Sequence, residues 1–141
     1  MDLVLGGYAA GKLEYVLDKY AIEEGLNDYI LIDENSPLFG GDAINREELE
    51  KVCKKKQIII INHLHLLVRN NDLGLVNTLI DYIDRPKWEI VIICDEIGNG
   101  IIPMEKEDRD YRDRLGSFLV ELAKRADSVY RIICGMPLKI K

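Results

Sequence analysis

The sequence is poor in the residues that build disulfide scaffolds and metal centres. Its 141 residues include three cysteines, two histidines, four prolines and one tryptophan. The cysteines, Cys53, Cys94 and Cys134, form no C-x-x-C pair. An odd, scattered set in a chain without a signal segment implies reduced thiols and a cytoplasmic location. Cys94 and Cys134 each follow an isoleucine-rich run, so both are expected to be buried core thiols. His63 and His65 form H-x-H with no other histidine or cysteine near them in sequence, which does not make a metal site. No apolar run approaches the roughly 20 residues needed to cross a bilayer, so no membrane partner is expected. The opening Met1-Asp2-Leu3-Val4-Leu5 has no basic region of the kind that begins a signal peptide. Basic residues are in deficit, 19 against 25 acidic, for a net charge of -6. Recognition of a nucleic-acid backbone needs a positive footprint, so no nucleic-acid partner is expected. A single small phosphate needs only a few backbone N–H groups and one lysine, and is not excluded.

What is present is a globular composition, 48% hydrophobic and 31% charged, expected to form one domain over residues 1–141. Short β-rich runs alternate with helical periodicity. Residues 3–5 are apolar and end at Gly6-Gly7, a strand followed by a turn. Leu13, Val16, Leu17, Tyr20 and Ala21 repeat at helical spacing up to Gly25. Residues 29–32 read as a second strand and 35–42 as a turn-rich loop. Asn45 and Glu48 resemble a capping box opening a helix that closes on Lys54-Lys55-Lys56. Four consecutive isoleucines within 57–61 predict a strand buried on both faces. Residues 62–65 read as a loop, and Leu73, Val76, Leu79, Ile80 and Ile83 as a helix ended by Arg85-Pro86. A buried strand at 89–94 leads into a loop from Asp95 to Pro103. Tyr111, Leu115, Phe118, Leu119 and Leu122 then form the apolar stripe of a long helix, with Glu105–Arg109, Asp108–Arg112 and Asp110–Arg114 at i,i+4 on its solvated side. A fifth strand at 128–134 turns at Gly135-Met136-Pro137 into a short antiparallel edge strand at 138–140. The alternation implies a parallel sheet with helices on both faces, whose ligands bind at the carboxyl ends of the strands.

One such end carries a phosphate-loop pattern. Gly6-Gly7-Tyr8-Ala9-Ala10-Gly11-Lys12 reads G-x-x-x-x-G-K, follows a strand and opens a helix. Glycines let the backbone wrap a phosphate, consecutive N–H groups point inward, and the helix N-terminus adds positive potential. Lys12 is placed to reach the terminal phosphates. The next residue is Leu13, where the complete motif has a Ser or Thr that ligates Mg²⁺.

The later half carries a more specific pattern. Asp95-Glu96-Ile97-Gly98-Asn99-Gly100-Ile101-Ile102-Pro103 resembles the N-E-V-G-x-G-I-V-P signature of the bifunctional adenosylcobinamide kinase and adenosylcobinamide-phosphate guanylyltransferase family of cobalamin biosynthesis. Tyr111-Arg112-Asp113 with Gly116 resembles the family's F-R-D-x-x-G, and Leu122-Ala123 with Ala126-Asp127-Ser128-Val129 its L-A-x-x-A-D-x-V. Gly135-Met136-Pro137-Leu138-Lys139-Ile140-Lys141 is similar to its G-x-P-x-x-x-K ending. The resemblance implies a three-layer P-loop NTPase-like (RecA-like) α/β fold, mostly parallel, with an antiparallel C-terminal edge strand. It implies a homo-oligomer, trimeric in the family. It also implies phosphoryl transfer from ATP or GTP to the aminopropanol arm of adenosylcobinamide, followed by attachment of GMP through a guanylylated histidine. Carried over to this chain, Lys12 and Glu96 are the candidate catalytic residues. The candidate nucleotide-binding set is Gly6, Gly7, Tyr8, Ala9, Ala10, Gly11, Lys12, Leu13, Asp95, Gly98 and Gly100.

The departures fall on chemistry. Leu13 and Asn62 stand where the family has Mg²⁺ ligands, leaving no metal set to assign, with Asp95 and Asp33-Glu34 as the strand-end carboxylates that remain nearby. The segment from Glu34 to Lys56, where the family carries its nucleotide-accepting histidine, contains none. Leu119-Val120 replaces a polar Asn-Gln pair. Two readings follow: a kinase-like transferase with the guanylyl step lost, or a non-catalytic nucleotide-binding or assembly subunit.

Overall fold

A computed structural model of the chain describes residues 1–20, 22, 29–36, 58–70, 73–83, 88–98 and 104–141. The expected helix over 45–56, the stops at Gly25 and Pro86, Cys53, and the signature residues 99–103 lie outside the described residues, as does most of the loop at 35–42. The strands are β1 (Asp2–Gly6), β2 (Tyr29–Ile32), β3 (Ile58–Ile61), β4 (Glu89–Asp95), β5 (Ser128–Ile133) and β6 (Met136–Lys139). The described helices are α1 (Lys12–Lys19), α2 (Leu64–Asn70), α3 (Leu73–Ile83) and α4 (Lys106–Arg125).

Together the strands form a six-stranded sheet in the order β2-β3-β4-β1-β5-β6. β1 pairs in parallel with both β4 and β5, and β3 in parallel with β2 and β4. Only β6 runs antiparallel, with Arg131 opposite Leu138 and Ile132 opposite Pro137. Pro137 has no N–H to donate, and an edge strand is where that is tolerated.

Burial on both faces explains the isoleucine runs. Alternate side chains of a strand point to opposite faces. Leu3, Ile59, Ile61, Ile90, Ile92 and Cys94 enter one core with Leu64 and Leu67 of α2, Leu79 and Ile80 of α3, and Leu115, Phe118 and Leu122 of α4. The intervening Val4, Ile60, Val91 and Ile93 enter a second core with Val16 of α1. The helices therefore cover both faces, and the layers are helix, sheet, helix.

Three expectations are corrected. Residues 62–65 are not all loop: α2 begins at Leu64 and buries Leu64, Leu67 and Val68. Its i, i+3, i+4 pattern spans only two turns and directly follows a strand, so it is too short to stand out as a period. The last strand begins at Met136 rather than Leu138, because the turn is made by Cys134 and Gly135, both with positive φ (50° and 77°). Cys134 is therefore exposed at that turn, whereas Cys94 is fully buried, and burial pushes its thiol up to about 12.

The charged side of α4 reaches outward as well as along itself. Asp108 pairs with Arg69 of α2 at 3.0 Å, and Arg112 donates to the Gly98 carbonyl at 2.6 Å. The terminal lysine of the G-x-P-x-x-x-K ending has a structural task. Lys141 Nζ donates to the carbonyls of Ala123, Lys124 and Ala126, at 3.2, 3.0 and 2.6 Å. Carbonyls in the last turn of a helix lack intrahelical partners and carry the negative end of its dipole.

Ile60 lies wholly inside the second core. Ile60→Ala is expected to destabilise the protein by about 3 kcal/mol, read as a lower denaturation midpoint with an unchanged slope against denaturant.

Candidate phosphate-binding site

Parallel pairing places the ends of β1, β3 and β4 side by side on one edge of the sheet, with β2 beyond β3. The loop after β1 begins at Gly6, where a Cβ would sit 2.7 Å from the Ile132 carbonyl oxygen of β5. Backbone leaves no room there, so glycine is required. Ala9 (φ 52°) and Gly11 (φ 82°) are both left-handed, and Gly11 is the residue preceding α1. The Ala10 N–H closes onto the Gly7 carbonyl at 3.3 Å, and the first helical bond runs from the Tyr15 N–H to Gly11 O at 3.1 Å. The hairpin turn between β5 and β6 braces the loop. The Gly135 N–H donates to Ala10 O at 2.9 Å, and a Cβ on Gly11 would come within 3.3 Å of Gly135 Cα.

A cavity of about 410 Å³ opens over this loop, lined by Tyr8, Ala9, Ala10, Gly11, Lys12, Leu13, Glu14, Asn62, His63 and Asp95. The Lys12 side chain is buried (6% exposed) and its ammonium is held twice, by Gly7 O at 2.7 Å and by Asp95 Oδ1 at 2.6 Å. Asp95 is thus an internal counter-ion at the place where a phosphate would meet Lys12. The Asp95 backbone N–H donates to His65 Nδ1 at 3.4 Å, and His65 Nε2 lies 3.8 Å from Asp95 Oδ2. The Tyr111 hydroxyl donates to the His65 carbonyl at 2.6 Å, and burial pushes that hydroxyl up to about 12. His65 is mostly buried; desolvation outweighs the attraction of Asp95 and lowers its pKa. Beside it, His63 Nδ1 lies 3.1 Å from Glu34 Oε2.

A family profile described as cobinamide kinase / cobinamide phosphate guanyltransferase matches residues 43–140. The chain belongs to that family. Two curated members, the bifunctional adenosylcobalamin biosynthesis proteins of Salmonella typhimurium and Escherichia coli, are 33% and 32% identical over 66 residues, or 47% of this chain and 36% of theirs. The matched stretch thus spans about a third of the length of those relatives. A protein of Pyrococcus horikoshii OT3, solved as a structural study, superposes with a TM-score of 0.56 at 12% identity, over 100% of this chain and 85% of its own. That likeness concerns the fold alone.

The structure brings together Tyr8, Ala9, Ala10, Gly11, Lys12, Leu13 and Asp95 around one cavity, with Gly6 and Gly7 leading into it. Glu96 is not among the lining residues. Arg131 of β5 holds its carboxylate from two nitrogens, each at 2.7 Å, while its N–H donates to Gly6 O at 2.9 Å. In this geometry Glu96 ties β4 and β5 to the start of the glycine-rich loop. Gly98 (φ 136°) accepts from Arg112 and anchors the signature to α4. Gly100 lies outside the described residues.

At the two positions that the resemblance marks for Mg²⁺, Leu13 offers no oxygen and packs its side chain against the second core, and Asn62 offers an amide oxygen without charge. Sequence reasoning did not reach the His63–Glu34 pair. His63 and the acid pair at residues 33–34 were both visible as strand-end residues, but only β2–β3 pairing brings them together.

Two outcomes follow. Asp95→Asn leaves buried Lys12 without its counter-ion, so unfolding stability is expected to fall by about 3 kcal/mol, while inorganic phosphate binds more tightly and restores the melting temperature. Because the His65 pKa is lowered in the fold, the neutral form is the one stabilised. Stability is full above the ordinary value of about 6.5 and declines as pH falls through the folded value. Thermal melts of His65→Gln between pH 7.5 and 5 are expected to show a flatter decline than the wild type.

Proposed function

We propose that this chain binds ATP or GTP at Gly6-Gly7-Tyr8-Ala9-Ala10-Gly11-Lys12 and transfers a phosphoryl group to a cobinamide-type acceptor, with the guanylyl step of the family lost. The observation that carries this is the loop itself: left-handed Ala9 and Gly11 and a buried lysine ammonium facing one cavity. Backbone N–H groups at a helix start and a lysine suffice to hold polyphosphate. Loss of the guanylyl step is argued from the sequence. No histidine occurs between Glu34 and Lys56, and a covalent transfer without its nucleophile has no electrostatic substitute. The reading extends to a cytoplasmic homo-oligomer, trimeric by analogy with the family, with no nucleic-acid or membrane partner. No described helix is long and apolar enough to cross a membrane.

A second reading, a nucleotide-binding or assembly subunit without turnover, is favoured by a specific observation. Lys12 is already neutralised by Asp95, and Leu13 and Asn62 replace metal ligands. Loss of metal fixation at two positions slows in-line transfer by about 10³ or more. Binding by backbone amides and Lys12 survives both changes.

Nucleotide titrations with and without Mg²⁺ test the proposal. Wild type is expected to bind at or below millimolar levels, and Lys12→Ala at least about tenfold more weakly. Failure of both nucleotides to bind rejects the phosphate-loop reading, and binding without turnover selects the subunit. Incubation with labelled GTP is expected to leave no acid-labile GMP on the protein.

A further inference from the structure

We infer that His63 is the general base that takes the proton from the acceptor hydroxyl, with Glu34 as its positioning residue. The assignment rests on the phosphoryl-transfer reading above and names a group for it. Three observations meet at His63. His63 lines the same cavity as Gly11 and Lys12, the loop to which the proposed function assigns the phosphates. Its Nδ1 faces Glu34 Oε2 at 3.1 Å. With the Nδ1 proton donated to that carboxylate, the ring is fixed in the tautomer whose Nε2 carries the lone pair. Its backbone is left-handed (φ 51°), a conformation that costs a non-glycine residue energy and is held here by the surroundings. The His63 carbonyl accepts the N–H groups of Leu66 at 2.8 Å and Leu67 at 3.2 Å, so the strained residue is pinned between β3 and α2.

The two histidines divide their work. His65 is 11% exposed and its Nδ1 accepts the Asp95 N–H, so its imidazole is committed to the wall of the site. His63 is 44% exposed, its ring centroid 5.8 Å from that of His65, and is accessible to a hydroxyl entering the cavity. In the step assigned, the acceptor oxygen attacks the terminal phosphorus of the nucleotide and forms a P–O bond. The bond to the bridging oxygen breaks and the nucleoside diphosphate leaves with its electron pair. The hydroxyl proton passes to His63 Nε2 and from there to solvent. No oxidant, reductant or covalent enzyme intermediate is needed.

The test compares wild type, His63→Gly, His63→Gln and Glu34→Gln, with ATP or GTP and a cobinamide bearing a free aminopropanol hydroxyl. Nucleotide binding is measured separately by calorimetry. Glycine suits the left-handed backbone at residue 63, so His63→Gly keeps the fold and opens a hole for added imidazole. The expected result is a kcat lower by about 10²–10³-fold in both His63 variants, nucleotide affinity within about twofold of wild type, and recovery of His63→Gly by imidazole. Glu34→Gln is expected to lower kcat about tenfold with KM unchanged, the split that marks positioning rather than binding. Transfer by the His63 variants at the wild-type rate overturns the base and leaves the transfer reading intact. Failure of imidazole to rescue, or loss of nucleotide affinity in step with rate, also overturns it. Labelled nucleotide recovered on His63 makes it a nucleophile and overturns it as well. Wild type that binds nucleotide and transfers nothing overturns both readings.

Discussion

Two-sided burial of the parallel strands is the constraint on which the rest depends. Each of β1, β3 and β4 alternates its side chains between two cores, and neither core forms unless helices return over both faces. Crossovers of that kind put the ends of the parallel strands on one edge. The phosphate loop, Asn62, His63, Asp95 and Glu34 are neighbours because the sheet cannot be buried in another way. The site is a by-product of packing, furnished with polar groups at the points where the strands stop.

Within that edge the dominant local interaction is the Lys12–Asp95 pair. Two opposite charges that are almost wholly excluded from water hold each other and shape the loop from below. Burying charges is costly and offsets most of what the pair gains by attraction, while removal of one partner leaves the other charge buried and uncompensated. Under the proposed function, a polyphosphate exchanges one anion for another at Lys12, so the affinity of the loop is a difference between two partners. The signature that this segment resembles begins with Asn, whereas this chain carries Asp95, which neutralises Lys12.

Much of the fold was legible in residue patterns. The four isoleucines of β3 and the run at β4 gave away two-sided burial, and the stripe from Tyr111 to Leu122 gave away α4. The glycine-rich turn after β1 was legible because glycine spacing answers directly to a backbone requirement, as the contact at Gly6 shows. What was not legible is tertiary. Glu96 sits within the family signature, yet its carboxylate is held by Arg131, a residue on a strand paired with β1. Glu34 and His63 meet only through β2–β3 pairing. Cys134 follows an apolar run but lies at a left-handed turn, and hydrophobic neighbours in sequence say nothing about a reversal of chain direction.

The bracing of the glycine-rich loop by the β5–β6 turn bears on how the loop takes its shape. Ala10's carbonyl finds its partner in the Gly135 N–H, and Gly11 is packed against Gly135, a residue synthesised long after both. A nascent chain with its central strands already paired would still lack that support. A loop that follows the first strand described is therefore completed by a hairpin much later in the chain, and the loop's shape becomes a marker that the hairpin has docked.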